Sequence, residues 1–286
     1  MSIHLRSCRA HGATTLFVLL WSSGAITSKL ALLYASPFAF LLLRMGLAFL
    51  VLAALATARR RWLPAPGTRL LTALIGLTLL GGYTVCYLLA LEHGVAPGVL
   101  ATILGIQPLL TLLAVHRRLS PRRLAGLLLA LGGLMLVVWQ GLHLQGLGWL
   151  GIAFALTSLA CITLGALLQK KVTQAPLDVL PLQYAVGLLL CLALAPTQAL
   201  AFTFNAASLG LLLWLGLGIS VGATLLFYRL IQGGDLVNVT SLFYLVPVGT
   251  ALLDYLLLGQ ALSGLAVAGM AAILGGLALV TQGSPR

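Results

Sequence analysis

The amino-acid sequence predicts an all-α, polytopic membrane protein with ten transmembrane helices arranged as two inverted five-helix repeats. Three observations carry this. Of 286 residues, 61% are hydrophobic and 7% are charged, against roughly 25% charged in a soluble domain. So few charges cannot cover a soluble surface. The apolar residues fall into ten runs close to the length of about 20 residues that crosses a bilayer core. Finally, Lys and Arg gather at alternate breaks between the runs, as the positive-inside rule requires.

In order, the runs span roughly 13–34, 38–58, 70–91, 97–115, 124–140, 148–168, 177–195, 207–228, 237–258 and 263–281, each ending at charges, Pro or Gly. Arg6 and Arg9 before the first run resemble a signal peptide. No convincing small-x-small cleavage site follows, and Lys29 interrupts the downstream end, so the first helix is expected to be retained. With the N-terminus in the cytoplasm, the inner segments hold Arg6, Arg9, Arg59, Arg60, Arg61, Arg69, Arg117, Arg118, Arg122, Arg123, Lys170, Lys171, Arg229 and Arg286. The outer loops near 35–37, 92–96, 141–147, 196–206 and 259–262 hold no Lys or Arg. Both termini are therefore expected to be cytoplasmic, in the cell membrane.

The formal charge of +12 could suggest nucleic acid, but that needs a basic face on a folded domain. Here the cations stand between apolar runs, so nucleic acid is not an expected partner. The acids number four: Glu92, Asp178, Asp235 and Asp254. Scattered in this way they cannot build a metal–diphosphate site. Cys86, Cys161 and Cys191 lie inside runs without a Cys-x-x-Cys, and no two histidines pair at i, i+4, so neither a disulfide framework nor zinc is expected. The histidines default to surface or headgroup positions. With no Gly-x-x-x-x-Gly-Lys loop to cradle a nucleotide, no cofactor is expected. The expected partners are a small-molecule substrate and the lipid bilayer, and a homodimer is compatible with the pattern.

The two halves resemble each other. Pro108 and Pro247 fall near the middle of the fourth and ninth runs, at an offset of 139. Leu119, Ser120, Gly126, Gly132 and Gly133 match Leu262, Ser263, Gly269, Gly275 and Gly276 at 143, and Gly24 and Lys29 match Gly165 and Lys170 at 141. The first half is four residues shorter between its proline and its serine, about one helical turn. Five runs per half invert the second copy, placing one repeat at 1–140 and the other at 141–286. Inverted repeats with interrupted helices are a recurrent plan of secondary transporters, with the substrate site at the repeat interface.

Together these features resemble the EamA-type carriers of the drug/metabolite transporter superfamily over nearly the whole chain. Trp21-Ser22-Ser23-Gly24 with Lys29 is similar to the family's first helix, Arg44 to an arginine common in its second, and the Pro-containing fourth and ninth helices to the end of each repeat. The resemblance implies a carrier of small metabolites, often outward, through a central cavity. Two departures stand out: a Leu-Gly-Glu usual after the proline helix reads Leu258-Gly259-Gln260 here and Val115-His116-Arg117 in the first half, and the first half lacks about one turn there.

Charges inside a bilayer are costly and mark functional sites by default. Lys29, Arg44 and Asp254 are the candidates. They would either face a cavity, the cations attracting a carboxylate, or snorkel and pair between helices. Trp21, Tyr83, Tyr87 and Tyr244 could line a cavity for an amphipathic metabolite, although Tyr and Trp also belong at headgroup level. Gln107 lies beside the first proline. The candidate substrate site is thus Trp21, Lys29, Arg44, Tyr83, Tyr87, Gln107, Pro108, Tyr244, Pro247 and Asp254. The expected function is export of amino acids or other small carboxylates. An exchanger of phosphorylated or nucleotide-linked metabolites would want more cations and ranks second, and a membrane-embedded transferase follows. A channel would need a filter or charged ring, which the sequence lacks.

Overall fold

A computed structural model describes residues 2–116, 120–139, 148–258 and 262–282, without the side chains of residues 2–11, 254, 257 and 258. The described chain is almost wholly helical. Its helices are α1 (Ser2–Ala31), α2 (Pro37–Ala58), α3 (Arg69–Glu92), α4 (Pro97–Val115), α5 (Pro121–Val137), α6 (Trp149–Lys170), α7 (Pro176–Leu194), α8 (Ala206–Gly233) and α10 (Gly264–Gln282). Before α10, α9 joins Leu236–Ser241, a tight turn Leu242–Tyr244 and Leu245–Leu258. Four helices open on proline, at Pro37, Pro97, Pro121 and Pro176. In the first turn the missing N–H would have had no helical partner, and the fixed φ is already helical. Elsewhere side chains cap the starts: Asn205 and Ser208 form a reciprocal capping box on α8, and Asp235 accepts from the Asn238 N–H on α9.

Among the described residues, eight helical stretches are long and apolar enough to cross a membrane. The first and fifth predicted runs are not among them. The helix α5 has 17 residues, and α1 carries Lys29 and several Ser and Thr within its apolar length. Leucines such as Leu50, Leu70, Leu113 and Leu189 point outward, as lipid-facing side chains do. The repeat boundary at 140/141 and the expected outer loops 141–147 and 259–261 lie outside the described residues, as do Arg117 and Arg118.

Packing follows the repeat. Exchanging each helix for the one five places away turns the contacts of α1 with α8 and α9 into those of α6 with α3 and α4, and the α2–α8 contact into α7–α3. The pairs α5–α10, α4–α9 and α2–α7 map onto themselves. At the α5–α10 crossing a Cβ on Gly126 would stand 2.6 Å from the Gly276 carbonyl, and one on Gly133 would stand 2.6 Å from the Gly269 carbonyl. These four glycines are related by the repeat and let two backbones touch, as small residues do in membrane helix pairs. Gly132 has open space around it and Gly275 only an ordinary contact, so one glycine of each Gly-Gly pair makes the crossing. At Gly218 and Gly222 of α8 the nearest atoms to an added Cβ would be those of Trp214 and the Leu217 carbonyl, all of the same helix.

Candidate functional site

Both α3 and α8 contain a π-helical stretch, Gly76–Gly82 and Trp214–Ala223. Each is followed by a ten-residue α-helical segment, Tyr83–Glu92 and Thr224–Gly233. Wide π turns often mark functional sites because they re-aim side chains. Here Leu79, Leu80, Tyr83 and Thr84 from α3, and Ser220, Thr224, Phe227 and Tyr228 from α8, enclose one cavity between the repeats. Its remaining walls are Trp21 of α1, Arg44 and Met45 of α2, Ile162 of α6, Tyr184 of α7 and Phe243 of α9. The cavity holds about 60 Å³, well below the roughly 300–1,000 Å³ of ligand pockets.

One wall is aromatic. Trp21 lies 5.4 Å from Phe243 and 5.8 Å from Phe227, and Phe17 stacks on Phe227 at 5.5 Å and lies tilted 5.0 Å from Trp21. The lining also carries polar groups. The Nε of half-buried Arg44 donates to Ser220 Oγ at 2.6 Å. Among the described residues no carboxylate lies within ion-pair distance of this guanidinium, and no hydrogen-bond partner is found for its two terminal nitrogens. Tyr184 donates its hydroxyl to the Ser220 carbonyl, fixing the π turn that carries the arginine's partner. Tyr228 donates to Gln183 Oε1 at 2.6 Å, and Gln183 donates to Gln169 Oε1 at 3.0 Å. Tyr228 is fully buried. The buried chain of glutamines satisfies its hydroxyl where water cannot.

The structure brings three of the sequence-predicted residues to this cavity: Trp21, Arg44 and Tyr83. Tyr87 packs its ring edge against Tyr83 at 6.1 Å, behind the lining. Gln107 and Pro108 are buried at the second half of α4, which breaks at Gly105–Ile106. Tyr244 is buried in the turn that breaks α9 and donates to the Gly105 carbonyl at 2.5 Å, so the two broken helices meet at their breaks. Pro247 is the third residue of the second half of α9, and Ser22 of α1 donates to the neighbouring Val246 carbonyl at 3.2 Å. Both prolines thus sit in the first turn of a half-helix, where they need no kink. Lys29 is exposed near the end of α1, away from the cavity lining. The Asp254 side chain lies outside the described residues.

A second polar cluster joins the repeats at the end of the bundle that carries Arg59–Arg61, Lys170 and Arg229. Arg123 is buried, and its guanidinium donates to Asp235 Oδ1 at 2.6 Å and to Asn238 Oδ1 at 3.0 Å. Its other terminal nitrogen lies 3.0 Å from His116 Nε2. The sequence places Arg123 in a loop and His116 at a headgroup surface. Tertiary packing overrides both, because Asp235 caps α9 directly opposite α5.

Compared with known families, the chain matches the EamA-like transporter family over residues 11–139 and again over 149–282. No curated protein matches it. A solved structure titled "Crystal structure of protein" superposes with a TM-score of 0.79 at 23% sequence identity, covering 96% of this chain and 97% of that one. This is a likeness of fold. The two family matches cover the two halves whose helices pack as a symmetric pair, and the chain belongs to the EamA-like transporter family.

Proposed function

We propose that this membrane transporter is a secondary carrier of small carboxylates, amino acids among them, which it moves outward across the cell membrane with both termini in the cytoplasm. The observation that supports this is Arg44. Its Nε is anchored by Ser220, and its outer nitrogens lack protein partners among the described residues, in the wall of a cavity between the repeats. A desolvated guanidinium binds a carboxylate by two parallel bonds. Trp21, Phe227 and Phe243 offer a face for an apolar body or an ammonium group. The lining provides one cation among the described residues, which suits one carboxylate better than a phosphate of about −1.5 to −2 charge. The small volume fits a contracted state that opens to admit substrate.

Purified protein in liposomes, preloaded with each member of a panel of amino acids and simple carboxylates, tests this. Saturable counterflow of at least one carboxylate is the expected result. Counterflow of phosphorylated compounds alone, or chemical conversion of a panel member, would overturn the reading.

A further inference from the structure

We infer that Lys29 and Lys170 are a symmetry-related pair of clasps, each closing one end of the carrier in one of its two states. This rests on the carrier reading above. In the present structure Lys170, at the end of α6, donates its ammonium to the carbonyls of Ile231 at 2.7 Å and Gly234 at 2.6 Å, with Gln232 at 3.3 Å. These carbonyls end α8, where helical carbonyls lack helical donors and the helix dipole favours a cation. Gln232 reinforces the clasp by donating to the carbonyls of Val172 and Gln174 at 3.1 and 2.7 Å. These bonds tie α6 to the end of α8, and at the same end the Arg123–Asp235 pair ties α5 to α9.

Lys29 is the repeat mate of Lys170, 141 residues earlier. The segments Tyr83–Glu92 of α3 and Thr224–Gly233 of α8 stand at the same offset and have the same length. The mirror images of the Ile231, Gln232 and Gly234 carbonyls are therefore those of Ala90, Leu91 and His93. Here Lys29 is exposed, makes no hydrogen bond among the described residues, and α1 does not pack against α3 as α6 packs against α8. One end is clasped and the mirror clasp is undone, which is the asymmetry that an inverted repeat must exchange when it changes state. The ends are also unequal. At the repeat offsets, Asp235 and Arg123 correspond to Ala96 and Ala266, and Gln232 to Leu91. The clasp at Lys29 thus has less polar support than its mate, and the state captured here is expected to predominate.

The test uses spin labels on the full chain in lipid nanodiscs, with native cysteines replaced by alanine. One pair, at Leu33 and Glu92, spans the Lys29 end. A second, at Lys171 and Gly233, spans the Lys170 end; all four positions are exposed, and a Cβ at Gly233 meets nothing within 4 Å. The otherwise unaltered chain is expected to show a minor short-distance population at the Lys29 end. Lys29→Ala should reduce it about tenfold, as loss of one charge-assisted bond implies. Lys170→Ala should enlarge it while adding long distances at its own end. Lys29→Arg, which still donates to carbonyls, should retain it. If Lys29→Ala does not accumulate, Lys29→Met is read in its place. A short population that survives both neutral substitutions overturns the clasp and leaves the carrier intact. Absence of any short population, with no counterflow, removes the carrier reading and the clasp together.

Discussion

Two adjacent glycines make opposite predictions. In α5, Gly133 faces α10, and an added methyl would stand 2.6 Å from the Gly269 carbonyl and 2.9 Å from the Ile273 nitrogen. Both are backbone atoms, so relief requires the two helices to part. Overpacking of this kind costs about 1–3 kcal/mol. Gly132, one residue earlier, has nothing within 4 Å of the same methyl, and replacing a helical glycine by alanine there gains about 0.5–1 kcal/mol. The neighbours should therefore differ by about 1.5–4 kcal/mol, several degrees of melting temperature for a chain of this size. Thermal unfolding in detergent, followed by retention of a monodisperse peak, measures it. Gly133→Ala should melt lower than the unaltered protein and Gly132→Ala no lower. Equal melting of the two variants would refute the close α5–α10 crossing and the repeat symmetry built on it.

Arg123→Ala should leave Asp235 facing a partly buried void. Such losses cost about 3–5 kcal/mol in full burial, and about 2–3 kcal/mol here because the Asp235 side chain is a quarter exposed. Arg122→Ala, on the exposed side of the same turn, should stay within about 0.5 kcal/mol; thermal unfolding of the two variants side by side checks the contrast. Reporter fusions after Arg61 and Lys171 should read cytoplasmic and one at Asn205 external, because the outer loops lack Lys and Arg; a consistent reversal would invert the proposed orientation. Trp21→Ala should weaken substrate binding by roughly tenfold through loss of the aromatic wall, read as a change in half-saturation of counterflow, while Trp149→Ala, on an exposed helix start, should not.

The apolar runs and the prolines between them made the helix positions legible in the sequence, because a bilayer requires each span to be long, apolar and internally hydrogen-bonded. The starts at Pro37, Pro97 and Pro176 fall within a residue of the predicted runs. The candidate cavity was legible where its lining is unusual for its depth: a cation at Arg44, and Trp21 and Tyr83 at mid-span. Ser220, Thr224, Phe227 and Phe243 were not legible, since such residues occur throughout any apolar span and only the π turns bring them to one cavity. The glycine-rich stretches 76–82 and 214–223 carried a weak signal for those turns. Arg123 misled because positive-inside patterning treats each cation as solvated, whereas Asp235, 112 residues away, draws this one into the interior.

The central claim is that Arg44 holds the carboxylate of the substrate, and equilibrium binding of a transported carboxylate to purified protein in detergent tests it most directly. Arg44→Ala removes a desolvated charge-assisted bond of about 1.5–3 kcal/mol, a loss of roughly ten- to a hundredfold in affinity. Arg44→Lys keeps the charge but loses the planar fork and the Ser220 anchor, and should bind more weakly than the unaltered protein as well. Affinity unchanged in both variants, with the protein folded, would contradict the account.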